Sequence, residues 1–373
     1  MKIAVLRERK TGELRVAATP DSVKKYAALG ASVSVEKEAG IGAGISDQHY
    51  MDAGATIAAD ASACTNGADI ILKVAAPEKE DMMLMPEGAL LVGMLDPYAH
   101  GDLLAAYNLK KLSAFSLEFL PRISRAQSMD VLSSQSNLAG YRAVIDAVSL
   151  FGKVVPMMMT AAGTVVPAKA LVLGAGVAGL QAIATAKRLG AVVSAFDVRP
   201  VVKEQVESLG AKFIEVAASE SGETAGGYAK EMSDEYKRKQ SELIHETLKK
   251  QDLVICTALI PGKPAPVLIT EEMVKDMKPG SVIVDLAAAS GGNCPLTEVD
   301  KIVVKHGVTL VGYSNMPSRA AVDASQLYAR NLYNFVSTLL IGKDGKLAVN
   351  WDDELVTGTL LTMDGLTVHK NFK

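Results

Sequence analysis

The sequence predicts an α/β fold with two domains, and three observations lead to this prediction. The chain has 373 residues, which is more than one ordinary hydrophobic core requires. Hydrophobic residues make up 49% of the chain and aromatic residues only 5%, a composition typical of buried parallel strands packed on helices. Short β-type runs also alternate with helical stretches, as in βαβ units.

The first half of the chain shows this alternation without a glycine-rich nucleotide motif. The first helix is predicted over residues 20–29, because Pro20 stands near its start and Gly30 closes it. We therefore expect an α/β domain here. Its predicted strands cover residues 3–6, 32–35, 70–74, 90–95 and 113–117.

The second half follows a predicted helix over residues 136–150 and contains six strand-like runs, enough for a complete doubly wound sheet. A long helix over about 320–340 and a short irregular tail come last, and we expect this helix to return to the first domain. The predicted domains are residues 1–135 plus 320–373, and residues 136–319. The six runs are residues 169–173, 192–196, 212–216, 253–257, 282–286 and 309–312.

Charge and targeting signals exclude several classes of protein. The net charge of −3 and the pI near 6.0 provide no basic surface for nucleic acid. The cysteines, Cys64, Cys256 and Cys294, are too far apart for a zinc motif or a disulfide framework, so we expect no metal site. The amino terminus has no signal-peptide pattern and no run suits a membrane span, so we expect a cytoplasmic protein.

The most specific motif is Gly174-x-Gly176-x-x-Gly179, which follows the strand 169–173 and precedes a helical run. The first glycine permits a tight turn, the second lets the backbone approach a pyrophosphate, and the third lets the helix pack on the strand. The phosphates then lie at the helix N-terminus. This context predicts dinucleotide binding.

The acidic residue after the next strand favours NAD over NADP. Asp197 ends the run 192–196, where a carboxylate binds the adenosine ribose hydroxyls and repels a 2′-phosphate. Arg199 lies two residues further on, and we expect it to stack on the adenine ring.

A polar segment over residues 121–137 separates an apolar strand from a helix. Amides, hydroxyls and an Arg–Asp pair could orient a nicotinamide at a domain junction, where ligands often bind. The alternative is a solvated linker with a serine at the helix N-cap. The polar side chains are Arg122, Arg125, Gln127, Asp130, Ser133, Ser134 and Gln135.

A polar insertion over residues 217–242 is longer than an ordinary connection between a strand and a helix. Such an insertion is typical of a mobile lid. It could equally be a surface loop that leads into a solvated helix over residues 230–249.

Several other ionisable residues have no role that the sequence defines. Arg15 lies in an early loop, and Lys73 interrupts an apolar run, either as an exposed strand end or in a cleft. None of the histidines has the setting of a general base. We expect all five to lie at the surface: His49, His100, His245, His306 and His369.

The chain resembles the NAD(H)-binding domain I of proton-translocating nicotinamide nucleotide transhydrogenases over nearly its whole length. Several blocks of eight or more residues occur in the same order as in this family. The matching segments are residues 122–146, PMMMTAAGT at 156–164, the glycine motif, DVR at 197–199, ETAGGYAK at 223–230 and TALIPGK at 257–263.

The resemblance implies two Rossmann-like domains with parallel sheets around a cleft, the first completed by the C-terminus. It also implies reversible hydride transfer from NADH to NADP⁺ on a separate component, coupled to proton translocation by a membrane component. Family members of this type are soluble homodimers bound to the cytoplasmic face of the inner membrane through these partners.

The same resemblance implies a set of NAD(H) contacts, with Tyr228 at the tip of a loop that closes over the nucleotide. Arg122, Gln127, Asp130 and Ser133 would orient the nicotinamide, and Gln127 would reach towards the NADP(H) of the partner. The implied contacts are Arg122, Ile123, Ser124, Gln127, Asp130, Ser133, Gly174, Gly176, Val177, Gly179, Asp197, Val198, Arg199, Gly227, Tyr228, Gln240 and Leu259.

Two other functions use the same fold. Arg15 and the setting of Lys73 also resemble alanine dehydrogenase, but that enzyme needs a catalytic histidine where residues 93–98 have none. An NAD(H)-sensing subunit would share the nucleotide contacts without needing polar groups at the nicotinamide. The polar segment 122–133 therefore favours transhydrogenase.

Overall fold

The computed structural model describes residues 1–216, 233–260 and 262–373. These residues form two compact units: unit 1 is Met1–Gln135 with Pro317–Lys373, and unit 2 is Ser136–Met316. The strands are β1 (Lys2–Val5), β2 (Ser32–Glu36), β3 (Thr56–Ala58), β4 (Ile70–Leu72), β5 (Leu90–Gly93), β6 (Ser113–Ser116), β7 (Met158–Thr160), β8 (Gly163–Val165), β9 (Lys169–Leu173), β10 (Val192–Phe196), β11 (Lys212–Ile214), β12 (Leu253–Cys256), β13 (Val282–Asp285), β14 (Ile302–Lys305), β15 (Val308–Val311), β16 (Leu360–Met363) and β17 (Leu366–Thr367).

The helices alternate with these strands, as βαβ units require. They are α1 (Pro20–Ala28), α2 (Asp47–Asp52), α3 (Ala61–Thr65), α4 (Lys79–Met83), α5 (Leu103–Leu109), α6 (Val131–Leu150), α7 (Val177–Arg188), α8 (Lys203–Ser208), α9 (Asp234–Leu248), α10 (Glu271–Lys275), α11 (Ala321–Leu339) and α12 (Glu354–Thr359). In the described portion of the chain, no helix combines the length and the low polarity that a bilayer span requires.

Unit 1 contains a sheet in the order β17-β16-β6-β5-β4-β1-β2-β3. Strands β1 to β6 pair in parallel, whereas β16 pairs antiparallel with β6. The C-terminal tail is therefore not irregular, as expected from the sequence, but supplies α12 and two strands. Leu360 and Leu361 of β16 are buried in the cores on either side of this sheet, and this burial stabilises the tail.

Unit 2 contains a sheet in the order β11-β10-β9-β12-β13-β15-β14, parallel except for β14. Alternate residues of β9 enter separate cores: Ala170 and Val172 join one, and Leu171 and Leu173 join the other. Both faces of the strand are therefore covered, which explains its continuous apolar sequence. The mixed α/β class and the Rossmann-like order that the sequence predicted are confirmed.

The elements absent from the sequence predictions are short or lie at sheet edges. Strands β3 and β14 end their sheets, and every residue of the hairpin β7–β8 is exposed. These strands bury too little surface to impose a recognisable apolar pattern. Helix α6 begins at Val131, not at residue 136, because an acidic residue caps it.

Candidate functional site

The glycine loop, residues 174–176, joins β9 to α7 in unit 2, and packing dictates two of its motif's three glycines. Gly174 has a φ of +96°, and a Cβ there would lie 2.6 Å from Thr257 Oγ1. A Cβ at Gly179 would lie 1.9 Å from the carbonyl oxygen of Gly174. A Cβ at Gly176 would meet no atom of the described residues within 4 Å. Gly176 therefore leaves space for a ligand beside the backbone.

The first turn of α7 is suited to an anion. No described side chain caps the helix, and its first turn contains no acidic residue. Its N–H groups and its dipole therefore attract negative charge. Helix α6 approaches this turn closely because Gly140 has no side chain; a Cβ there would lie 2.0 Å from the carbonyl oxygen of Ala178.

Asp197 links the end of β10 to the glycine loop. Its Oδ2 accepts the backbone N–H of Ala175 at 2.7 Å, and its side chain is buried. The Arg199 guanidinium donates Nε to Oδ1 at 2.9 Å and Nη2 to Oδ2 at 2.7 Å. The carboxylate thus lies where a ribose would bind, and the ribose hydroxyls would compete with Arg199 for its oxygens.

Two apolar side chains and a hydroxyl complete this edge of unit 2. Val177 is 41% exposed and Leu259 is 43% exposed, so both present apolar surface. The hydroxyl of Thr257 donates to the carbonyl oxygen of Gly174 at 2.9 Å, a contact that the sequence reasoning did not identify. Its position directly after the buried strand β12 was the available signal. Val198 packs against a core of this unit.

The other nucleotide contacts implied by the resemblance are only partly described. Gly227 and Tyr228 lie outside the described residues. Gln240 lies half-buried in α9. The insertion expected to extend to residue 242 gives way to helix by Asp234, because the Ser233 hydroxyl caps α9 by accepting the N–H of Tyr236.

The polar segment of unit 1 forms the 3-10 helix Ser124–Met129 and the start of α6. Arg122, Ser124 and Gln127 are exposed, whereas Ile123, Asp130 and Ser133 are half-buried. The Asn331 and Asn334 amides of α11 donate to the Ser128 carbonyl oxygen at 2.8 and 2.9 Å. These contacts hold the segment on α11 and leave its polar side chains at the surface.

Asp130, not a serine, caps α6. Its Oδ1 accepts the Ser133 N–H at 2.9 Å, and its Oδ2 accepts the Ser133 hydroxyl. Two further members of the predicted polar cluster support packing within unit 1: Ser134 donates to Asn331, and Arg125 forms a bidentate ion pair with Asp353.

Lys73 and Arg15 both lie buried in unit 1, each with a carboxylate partner. Lys73 is 1% exposed, and its Nζ lies 3.0 Å from Glu8 Oε2. Arg15 Nη2 lies 2.6 Å from Glu13 Oε2, and its Nη1 donates to Gln135. Burial raises the pKa of Glu8, although the Lys73 ammonium opposes this shift.

One histidine lies where the sequence did not place it. His369 is 4% exposed, because Phe119 and Phe372 pack against its ring. Its Nδ1 accepts the backbone N–H of Asn371 and its Nε2 lies 3.2 Å from the Gly358 carbonyl oxygen, an arrangement that suits the neutral ring. Burial lowers the pKa of His369 below its usual 6.5. The expectation that every histidine is at the surface was therefore wrong.

All three cysteines are free and buried. Burial raises the pKa of the Cys64 and Cys256 thiols and raises that of Cys294 to about 11. These thiols are therefore protonated and shielded at neutral pH.

Family models match both halves of the chain. The model described as "Alanine dehydrogenase/PNT, N-terminal domain" matches residues 4–139, and "Alanine dehydrogenase/PNT, C-terminal domain" matches residues 143–370.

Individual relatives match over almost the full length. The chain is 57% identical to an NAD(P) transhydrogenase alpha subunit of Rhodospirillum rubrum, over 99% of this chain and 98% of the relative. The crystal structure of a transhydrogenase from Sinorhizobium meliloti matches with a TM-score of 0.87 and 47% identity, covering 100% of both chains. An alanine dehydrogenase of Methanococcus maripaludis is 30% identical over 99% of this chain and 95% of its own length. The chain therefore belongs to the alanine dehydrogenase/PNT family and is more similar to these transhydrogenase sequences than to that alanine dehydrogenase.

Proposed function

We propose that this chain is the NAD(H)-binding component of a proton-translocating transhydrogenase. It would exchange a hydride reversibly with NADP(H) held by a partner component. The glycine loop carries this proposal, because Gly176 leaves space at an uncapped helix N-terminus while Gly174 and Gly179 are dictated by packing. The similarity to a transhydrogenase alpha subunit supports the same function.

The residues of unit 2 suit NAD(H) rather than NADP(H). The α7 amides would bind the pyrophosphate, and Asp197 would accept the adenosine ribose hydroxyls. A 2′-phosphate would meet the same carboxylate and be repelled. Arg199 would be displaced from Asp197 and would stack on the adenine, while Val177 and Leu259 would contact the nucleotide.

In unit 1 we assign the nicotinamide contacts to the polar segment at the start of α6. Asp130 and Ser133 hold each other by two hydrogen bonds, so their oxygens are fixed before a ligand arrives. Arg122 and Gln127 are exposed and would add donors. Bound NADH supplies the hydride, so these residues have to orient a ring and exclude water, and no general base is required.

Two buried ion pairs argue against alanine dehydrogenase. A small 2-oxo acid would need cations to bind its carboxylate. Lys73 and Arg15 are already paired with Glu8 and Glu13 inside unit 1. Opening either pair would leave a buried charge without its partner, which costs several kcal/mol.

We also propose that the chain is a homodimer that joins an NADP(H)-binding component and a transmembrane component at the cytoplasmic face of the membrane. The hairpin β7–β8 supports a protein contact, because Met157, Met159 and Val166 are exposed and the strands pair only with each other among the described residues. We expect Met159→Glu to shift the chain from dimer to monomer in sedimentation equilibrium. An unchanged dimer would exclude the hairpin as the contact.

The glycine-loop proposal is tested by Gly176→Ala, with Gly152→Ala as its matched control. Neither added Cβ meets a described atom within 4 Å, so both variants should fold. We expect Gly176→Ala to raise the Kd for NADH by about a hundredfold, because its methyl group would occupy the position of the pyrophosphate, and Gly152→Ala to leave the Kd unchanged. Equal affinities would contradict the proposed site.

The reaction itself is tested by mixing the chain with the NADP(H)-binding component, NADH and an oxidised NADP analogue. Hydride transfer that needs both components supports the proposal. Turnover of alanine with NAD⁺ by the chain alone would instead indicate an alanine dehydrogenase. Tight NADH binding without either reaction would indicate a sensor subunit.

A further inference from the structure

Asn293 is an amide with a completely buried side chain beside the glycine loop's sheet edge, and neither the sequence motif nor the family resemblance assigned it a role. It is 0% exposed. Its Oδ1 accepts the N–H of Ala258 at 3.1 Å, and its Nδ2 donates to the carbonyl oxygens of Ala258 and Pro266 at 2.9 and 2.8 Å. One side chain therefore binds both backbone groups of Ala258 and connects them to Pro266.

Ala258 lies between this amide and the glycine loop. The residue before it, Thr257, donates its N–H to Leu173 and its hydroxyl to the Gly174 carbonyl oxygen. The residue after it, Leu259, presents its exposed apolar side chain. The path of the chain from Thr257 to Leu259 is thus set on one side by the glycine loop and on the other by Asn293.

The backbone around Asn293 is held without its side chain. Asp285 accepts the N–H of Cys294 at 3.0 Å, and Ala287 accepts the N–H of Gly292 at 3.0 Å. The carbonyl oxygen of Asn293 itself accepts the N–H of Ile269. Truncating the side chain therefore removes the bonds to Ala258 and Pro266 while the surrounding turn keeps its own hydrogen bonds.

We propose that Asn293 is a positioning residue for the dinucleotide, which fixes Ala258 and thereby places Leu259 beside the glycine loop. This inference rests on the proposed NAD(H) site. Without the amide, the N–H of Ala258 and two carbonyl oxygens lose their buried partners, and the chain must shift to reach water. A displacement of about 1 Å is enough to weaken a preorganised site.

The first test compares Asn293→Ala with Ser281→Ala in the full chain. Ser281 is a matched control, because it is also buried and donates to a backbone carbonyl, that of Gln251, but lies at the opposite end of β13. We expect Asn293→Ala to raise the Kd for NADH about tenfold, measured by NADH fluorescence, and Ser281→Ala to leave it unchanged. Thermal unfolding of both variants reports any loss of stability.

The second test uses the pH dependence of Asn293→Asp, which also decides the question if the alanine variant fails to fold. A carboxylate would face two carbonyl oxygens and repel them, whereas a protonated carboxyl group can accept from Ala258 N–H and donate back to its carbonyl oxygen. We expect NADH affinity of this variant to recover by about tenfold as the pH falls from 8 to 5.5, relative to the wild-type chain. A purely structural role would change the unfolding temperature without this recovery.

The outcomes separate this inference from the proposed function. Wild-type NADH binding with an unchanged Kd in Asn293→Ala and no pH-dependent recovery in Asn293→Asp would overturn the positioning role alone. A wild-type chain that binds no NADH would overturn both the site and this role. NADH binding that depends on Asn293, without hydride transfer, would support the positioning role and contradict transhydrogenation.

Discussion

The two sheets carry an acidic residue at the same place with the same contact. In unit 1, Glu36 ends β2, and its Oε2 accepts the backbone N–H of Arg7 at 2.9 Å. In unit 2, Asp197 follows β10, and its Oδ2 accepts the backbone N–H of Ala175 at 2.7 Å. In both units the donor lies two residues after the end of the preceding parallel strand, β1 or β9. The acid therefore ties together neighbouring strand ends in each sheet.

An arginine pairs with each of these acids. Arg9 Nη2 lies 2.6 Å from Glu36, and Arg199 Nη2 lies 2.7 Å from Asp197. The difference lies in the connection to the next helix: residues 174–176 are enough in unit 2, whereas unit 1 uses residues 6–19. That longer connection contains Glu8 and Arg15, both of which form buried ion pairs. The comparison shows that a strand-end acid alone does not make a nucleotide site; the short glycine turn does.

The largest effect that would test this contrast is on the stability of unit 1. In Glu8→Gln the buried Lys73 ammonium loses its carboxylate, and we expect the free energy of unfolding to fall by about 3 kcal/mol. Urea unfolding followed by fluorescence of Trp351, the single tryptophan, measures this change in unit 1. The double variant Glu8→Gln/Lys73→Met should regain most of the loss. A weaker affinity for NADH with unchanged stability would break the contrast.

A smaller effect should separate the two strand-end acids. We expect Asp197→Asn to raise the Kd for NADH about tenfold and to reduce discrimination against NADPH, because the repelling charge is lost. Glu36→Gln should leave both affinities unchanged. Fluorescence titration with each nucleotide measures both variants. Equal losses in the two variants would mean that unit 1 also contributes to nucleotide binding.

The smallest effect concerns pH and again belongs to unit 1. The unfolded chain binds a proton at His369 near pH 6.5, whereas the folded chain binds it only at lower pH. The free energy of unfolding should therefore fall as the pH drops below about 6.5, by on the order of 1 kcal/mol. His369→Gln should flatten this dependence in urea titrations between pH 7.5 and 5, and the exposed His49→Gln should not. A wild-type stability independent of pH in this window would refute the prediction.

How far the sequence predicts the structure depends on whether the relevant contacts are local. The runs 169–173 and 192–196 match β9 and β10 residue for residue, because strands covered on both faces are continuously apolar. His369 was misplaced because the aromatic ring of Phe119, far away in sequence, covers it. The same holds for Lys73, whose partner Glu8 reaches it only through the pairing of β1 with β4.

Distance in sequence also limited the prediction of the site. The glycine motif and Asp197 were identified because their spacing is characteristic of a nucleotide fold. Asn293 was not, since its bonds to Ala258 depend on a turn between two strand ends that no local pattern encodes.

The buried cysteines have a practical consequence for labelling. Alkylating reagents need an accessible thiolate, and none of the three native thiols presents one. In a Val177→Cys variant, the introduced sulfur would be the reactive thiol, located at the first turn of α7. Protection of that sulfur from alkylation by added nucleotide would then provide a covalent footprint of ligand occupancy, readable by mass spectrometry even in a mixture with partner proteins.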